Sequence, residues 1–208
     1  MQLSEKSIIV DVSGRQMNVV VPADPESAMQ ASWEEHDEDE AFFPFWLEAW
    51  PSSYGLFDYL QQNHIEIDGA LEIGCGCGVF AQLLQGFLGC VLHTDLVPSA
   101  CRFAAKQLQH KDRYVFAMDM RSPSLHKAPR LVLGADLFYE YPLVDLACEF
   151  VRNHLALGGV GYFADPMRPS RPLVAQHIET AGLAVQKILW RYTLNGKDQE
   201  IAIWKFTK

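Results

Sequence analysis

The sequence predicts an α/β fold: a Rossmann-like, mostly parallel sheet with helices on both faces and a C-terminal antiparallel hairpin, preceded by an N-terminal β-hairpin extension. Three observations predict it. From Gly69 onward, short apolar runs alternate with helical stretches. The first of these runs is followed at once by a glycine-rich loop, and the chain ends in two strand-like runs joined by a polar connection. Alternation of this kind forms a parallel sheet covered by helices, because each crossover helix packs back onto the sheet. A chain of 208 residues, 49% of them hydrophobic and 21% charged, is long enough for one sizeable core.

Residues 7–12 and 16–21 read as β-rich runs around Ser13-Gly14-Arg15, a hairpin signal. Pro22 and Pro25 end it, and an acidic run, Glu34-Glu35-His36-Asp37-Glu38-Asp39-Glu40, follows. Its repelling carboxylates fit a solvated loop; they also fit an acidic lip that attracts a lysine-rich segment, while a metal site built on His36 lacks a second nearby histidine. After the aromatic cluster from Phe42 to Trp50, Pro51 opens a helix with Tyr54, Leu56, Phe57 and Leu60 on one face. Strands are predicted over 70–73, 90–94, 114–118, 131–135 and 160–164, and helices over 79–87, 98–110, 141–155 and 170–181. The terminal strands, 184–194 and 199–207, are joined by Asn195-Gly196-Lys197-Asp198. The division is an extension over 1–45 and a main domain over 46–208.

Composition narrows the function. A net charge of −9 repels phosphate backbones, so nucleic acid is excluded as a partner. No run of eighteen apolar residues can span a bilayer, and the first residues carry no signal-peptide core, so no membrane partner and a cytoplasmic location are expected. Five cysteines without paired CxxC spacing read as reduced thiols, and no metal site is expected.

The chemistry gathers at strand ends. Ala70-Leu71-Glu72-Ile73 runs into Gly74-Cys75-Gly76-Cys77-Gly78 and then a helical stretch. Alternate glycines let the backbone turn tightly and approach a ligand, with helix N–H groups beyond. Gly76-Cys77-Gly78-Val79-Phe80-Ala81 also fits a dinucleotide fingerprint, so the glycines leave the nucleotide open. Glu72 favours a cationic ligand, because its carboxylate repels a pyrophosphate and attracts an ammonium or sulfonium. Asp95, in His93-Thr94-Asp95-Leu96, ends the next strand where a carboxylate accepts from both ribose hydroxyls of either nucleotide, with Leu96 beside it. Asp119, between Met118 and Met120, either accepts from an adenine amine with a methionine covering the ring, or starts a turn before Ser122-Pro123. Gly134-Ala135-Asp136-Leu137-Phe138-Tyr139-Glu140 ends the fourth strand, at the crevice where an open α/β sheet takes its substrate. There Asp136 can orient an amine or take its proton; Tyr139 and Phe138 either wall a channel or are core aromatics.

These features resemble the class I, seven-strand S-adenosylmethionine-dependent methyltransferases from about Trp46 onward. More narrowly, Glu48-Ala49-Trp50-Pro51-Ser52-Ser53, the glycine loop, and Asp136-Leu137-Phe138-Tyr139 as a D-x-x-Y signature are similar to methyltransferase family 16. Gly134 to Glu140 and Ala164-Asp165-Pro166-Met167-Arg168-Pro169 resemble its electron-transfer-flavoprotein β-subunit lysine methyltransferases. The resemblance implies S-adenosyl-L-methionine as cofactor. It also implies that Trp50, Gly74, Gly76, Asp95 and Ala135 line the cofactor and that Asp136 and Tyr139 serve the acceptor. Met120 stands where several members carry tryptophan after the third-strand aspartate. The expected activity is methyl transfer to a protein lysine. The alternatives are a small amine or carboxylate acceptor, a nicotinamide-dependent reductase, and a non-catalytic cofactor-binding module.

Overall fold

The computed structural model describes residues 4–34, 44–108, 113–167 and 173–208. The chain opens with a hairpin, β1 (Glu5–Val12) and β2 (Arg15–Pro22), then helix α1 (Pro25–Glu34) and helix α2 (Pro51–Gln62). Next come β3 (Ala70–Ile73), α3 (Val79–Leu83), β4 (Val91–Asp95), α4 (Pro98–Gln107), β5 (Arg113–Ala117) and β6 (Leu131–Ala135). The chain closes with α5 (Tyr141–His154), β7 (Val160–Asp165), α6 (Val174–Thr180), β8 (Ala184–Leu194) and β9 (Lys197–Thr207).

The nine strands among the described residues form one sheet in the order β2-β1-β8-β9-β7-β6-β3-β4-β5. Strands β3 to β7 pair in parallel, and β9 joins β7 antiparallel, as the sequence predicts. One core, on the α2 and α3 face, holds Leu56, Phe57, Leu60, Phe80 and Leu83 against Ala70, Val91 and Leu133, with Phe103 of α4. The other holds Val144, Phe150 and Val151 of α5 and Ile178 of α6 against Leu71, Val132 and Phe163. Among the described residues no helix is long and apolar enough to cross a membrane.

The hairpin extends this sheet at its edge. Strand β1 meets β8 at Val12↔Leu194, and the Ser13 and Asn195 N–H groups donate to Thr193 O (2.9 Å) and Asp11 O (2.8 Å). On its other side, the Gln82 carboxamide of α3 bonds both ways to the Val20 backbone, accepting from its N–H at 2.7 Å and donating to its carbonyl at 2.8 Å. Gln82 thereby ties the hairpin to the helix that follows the glycine loop.

Several boundaries differ from the sequence reading, for local reasons. Asp24-Pro25 starts helix α1 rather than a loop. The Asp24 carboxylate accepts from the Ser27 N–H at 3.1 Å, an N-cap with proline in the first turn, and the Ser27 bonds hold its carboxyl below the ordinary value. Both hairpins turn on two residues with positive φ, Ser13 (51°) with Gly14 (82°) and Asn195 (51°) with Gly196 (73°), so β9 begins at Lys197. The helix predicted over 79–87 tightens into a 3₁₀ turn at Leu84–Gly86. Helix α4 stops at Gln107 because Leu108 is extended. Residues Glu35–Glu40, Phe42, Phe43, Arg168 and Pro169 lie outside the described residues, so most of the acidic segment and part of the aromatic cluster do too.

Candidate functional site

From β3 the sheet runs to β4 and β5 on one side and to β6 and β7 on the other. The connections therefore diverge above β3 and β6 and open a crevice at the strands' carboxyl ends. Ile73 pairs with both Thr94 and Gly134. Gly74, Asp95 and Ala135 consequently lie at one level at the end of the sheet, with Asp136 the next residue beyond.

Gly74, Gly76 and Gly78 all have left-handed backbones, with φ of 71°, 53° and 80°. A Cβ on Gly74 would lie 2.4 Å from Leu137 Cδ2, and one on Gly76 would lie 3.4 Å from the Trp46 carbonyl oxygen. The loop is thus lined by the acceptor-side turn on one flank and by the chain before α2 on the other. Helix α3 has only five residues, so the loop's own backbone, rather than a long helix dipole, forms the cradle. Within it the buried Cys75 thiol bonds to that of Cys101, which together with burial pushes the Cys75 thiol well up.

Asp95 closes the cradle. Its Oδ2 accepts from the Gly76 N–H at 2.9 Å and its Oδ1 from the Val97 N–H at 2.8 Å. Burial raises its carboxyl above the ordinary value, the backbone bonds oppose the rise, and the nearby Glu72 charge adds to it. Leu96, beside it, is 60% exposed, an apolar side chain left at the rim. Glu72 is 1% exposed. Its carboxylate meets His93 Nδ1 across the parallel pair β3–β4, and its carbonyl accepts from the Thr94 hydroxyl at 2.7 Å.

At the end of β5 the two methionines separate: Met118 is buried in the core and Met120 is half-buried. Asp119 starts a turn, with Arg121 N–H on its Oδ1 at 2.9 Å and the Ser122 N–H on its carbonyl at 3.1 Å. The Arg121 guanidinium grips the carboxylate at 2.7–3.0 Å and holds it below the ordinary value. The turn anticipated before Ser122-Pro123 is therefore present, and the carboxylate faces Arg121.

Asp136 has φ of 58°, a left-handed conformation that aspartate tolerates better than most residues, and is buried. Its N–H donates to Ala164 O at 2.9 Å, and its Oδ2 accepts from the Ser52 N–H in the first turn of α2 at 3.0 Å. Tyr192 donates to Pro51 O at 2.8 Å; burial and then the Asp136 charge push its phenol up. Ala135, just before, is half-buried. Phe138 is a core aromatic, stacked 5.4 Å from Phe163. Tyr139 is half-buried at the mouth, its ring 5.0 Å from Phe45. Phe45 lies 6.4 Å from Trp50, whose indole N–H donates to Phe45 O at 2.9 Å. The Phe138–Tyr139 alternative thus divides, one ring in the core and one at the crevice.

No family model matches the chain. The electron transfer flavoprotein beta subunit lysine methyltransferase of Xenopus laevis is 29% identical over 123 residues, covering 56% of this chain and 49% of that protein. The chain thus spans about half the length of that curated relative. Among solved structures, the N-methyltransferase NodS from Bradyrhizobium japonicum, in complex with S-adenosyl-L-homocysteine, superposes with a TM-score of 0.61 at 18% identity. That match covers 88% of this chain and all of NodS. A TehB-like SAM-dependent methyltransferase from Corynebacterium glutamicum gives 0.59 at 17% identity over 89% of this chain and 98% of its own. The fold is that of the class I methyltransferases.

Within this methyltransferase fold the loop, Asp95, Glu72 and Asp136 converge on one crevice, as their strand-end positions predict. The described residues fit a cationic nucleoside cofactor. Two carboxylates flank a left-handed glycine loop that runs close under the Trp46 backbone, and the Asp119 carboxylate beyond β5 is paired with Arg121. Sequence reasoning missed His93, Ser52, Leu137 and the Trp46 backbone as neighbours of these groups. The first was recoverable, because aligning two parallel strands by their ends sets His93 opposite Glu72. The other three depend on how α2 and its preceding segment pack.

Proposed function

We propose that the chain is an S-adenosyl-L-methionine-dependent methyltransferase acting on a lysine side chain of a protein. The observation that carries this reading is the pairing of two carboxylates, Glu72 and Asp95, with a left-handed glycine loop in the crevice that Asp136 floors. A pyrophosphate would meet the negative charge of Glu72, which counts against a nicotinamide cofactor, while Asp95 fits the ribose of either nucleotide. The lysine assignment is supported by the Xenopus laevis relative. The surface charge disfavours nucleic acid, and five free thiols suit the cytoplasm. Residues 46–208 would carry the activity and residues 1–45 extend it.

In this reading Gly74, Cys75, Gly76 and Gly78 cradle the aminoacyl portion, and Asp95 accepts from the ribose hydroxyls beside Leu96. Met120 and Asp119 border the adenine, while Trp50 and Ala135 complete the lining. The cofactor supplies an electrophilic methyl on its sulfonium. The protein aligns the nucleophile, excludes water and keeps the amine neutral for attack. Asp136, whose carboxylate is held by the Ser52 N–H, would orient the amine or accept its proton. Tyr139 and Phe45 wall the approach.

One observation favours a small amine or carboxylate acceptor instead. Trp46 lies over Gly76, and the Phe45–Trp50–Tyr139 rings narrow the mouth, an enclosure suited to a metabolite. Incubating the purified protein with methyl-labelled cofactor and a lysate of its source separates the two. Label is expected on lysine in the protein fraction; label confined to small molecules would overturn the protein acceptor.

A further inference from the structure

We infer that His93 is a positioning residue for the cofactor, holding the Glu72 carboxylate ready for the α-ammonium of the methionine moiety. The inference rests on the reading of the glycine loop as an adenosylmethionine site. Glu72 and His93 are directly paired residues of parallel strands, and they project to the same face as Ala70 and Val91, toward α2 and α3. Both are sealed from solvent at 1% and 0% exposure. His93 Nδ1 meets Glu72 Oε2, while His93 Nε2 has no hydrogen-bond partner among the described residues. A carboxylate only accepts, so Nδ1 is the donor.

As core packing this arrangement is poor. A buried carboxylate is costly unless well paired, and apolar residues of the same volume serve a core as well or better. Glu72 instead has a single side-chain bond among the described residues, and that bond leaves Oε1 out of the pairing. Burial is what chiefly raises Asp95 and Cys77, and the Cys101 thiol with burial raises Cys75; the Glu72 charge adds to the rise of all three. Among the described residues no lysine or arginine pairs with Glu72 or His93, which leaves the carboxylate open to a ligand cation. The Thr94 hydroxyl on the Glu72 carbonyl and the His93 ring on its carboxylate fix both ends of the residue immediately before Ile73-Gly74. The ring is then what selects the carboxylate rotamer, and the ammonium completes the pairing.

The test compares two ligands on the full chain by calorimetry. S-adenosylhomocysteine carries the ammonium, and 5′-methylthioadenosine shares the nucleoside and lacks the amino-acid portion. His93→Leu should weaken S-adenosylhomocysteine about tenfold or more, as loss of an oriented charged hydrogen bond does, and leave methylthioadenosine unchanged. His93→Asn, whose amide N–H falls near the Nδ1 position, should restore binding to within about threefold. Glu72→Gln should show the same ligand-selective loss, and adding His93→Leu to it should cost nothing more. Equal weakening of both ligands, or of neither, would overturn the positioning role. If His93→Leu fails to fold, His93→Asn and Glu72→Gln decide alone: selective loss in Glu72→Gln with retention in His93→Asn supports the inference, and unselective loss rejects it. Wild-type protein that binds neither ligand would overturn the cofactor reading itself, and this inference with it.

Discussion

Replacing Asp95 with asparagine separates a ligand-binding role from a structural one. The carboxylate receives two backbone N–H groups, at 2.9 and 2.8 Å, and bonds of this charged kind contribute about 1.5–3 kcal/mol each. Burial works against them and is the largest influence, so the folded-state pKa lies above the ordinary value. A carboxyl with a raised folded pKa stabilises the fold most below its unfolded pKa. That contribution is lost as pH rises through the folded pKa. At neutral pH the charged Asp95 is therefore a net cost to the fold, tolerated beside the glycine loop.

Asparagine removes the charge, retains one acceptor oxygen and turns the other toward an N–H as a donor, so a lost bond and a relieved burial cost oppose each other. Stability at pH 7 should stay within about 1 kcal/mol of wild type, or about 2–4 °C in Tm for a chain of this size. Melts across about pH 4–8 should show a flatter pH dependence in the variant. Affinity for S-adenosylhomocysteine should fall by about 1.5–3 kcal/mol, roughly 10–150-fold, through the ribose hydroxyls. A Tm drop above about 8 °C with unchanged affinity would refute the reasoning and make Asp95 a clip for the loop.

Two further outcomes follow from the geometry. Asp136→Asn keeps a residue type that tolerates the φ of 58° but removes the charge, so cofactor affinity should hold while methyl transfer falls about 10²–10⁴-fold; full activity on the labelled acceptor would exclude the carboxylate from the reaction. Gln82→Ala leaves the Val20 N–H and carbonyl unpaired at the hairpin edge, and should cost about 1–3 kcal/mol in denaturant melts; an unchanged midpoint would show that the hairpin is held by its β1–β8 junction alone.

The central strands were legible because each apolar run is bounded by its own punctuation. Strand β3 ends where Gly74 begins, and β6 ends at Ala135, just before Asp136. The strand ends in turn brought Glu72, Asp95 and Asp136 into view, since topology alone sends the carboxyl ends of parallel strands to one crevice. Helix α1 is hidden from sequence pattern because Pro25 reads as a breaker, whereas Asp24 before it makes it a first-turn proline. The contacts that dress the site were out of reach of local pattern. Ser52 reaches Asp136 across 84 positions, and Trp46 reaches Gly76 through backbone packing that no side-chain signal encodes. Asp119 shows the converse limit. Its spacing from a strand end suits an adenine, while its partner Arg121, two residues on, suits a turn, and the carboxylate lies on the arginine.

The central claim, that the crevice holds a cationic adenosylmethionine rather than a dinucleotide, is tested most directly by calorimetry. The wild-type chain should be titrated with S-adenosylmethionine, S-adenosylhomocysteine and NADH under one set of conditions. The account predicts saturable binding of the first two and none of the third, because the Glu72 carboxylate stands beside the loop where a pyrophosphate would lie. Tighter binding of NADH than of either adenosyl ligand would contradict it.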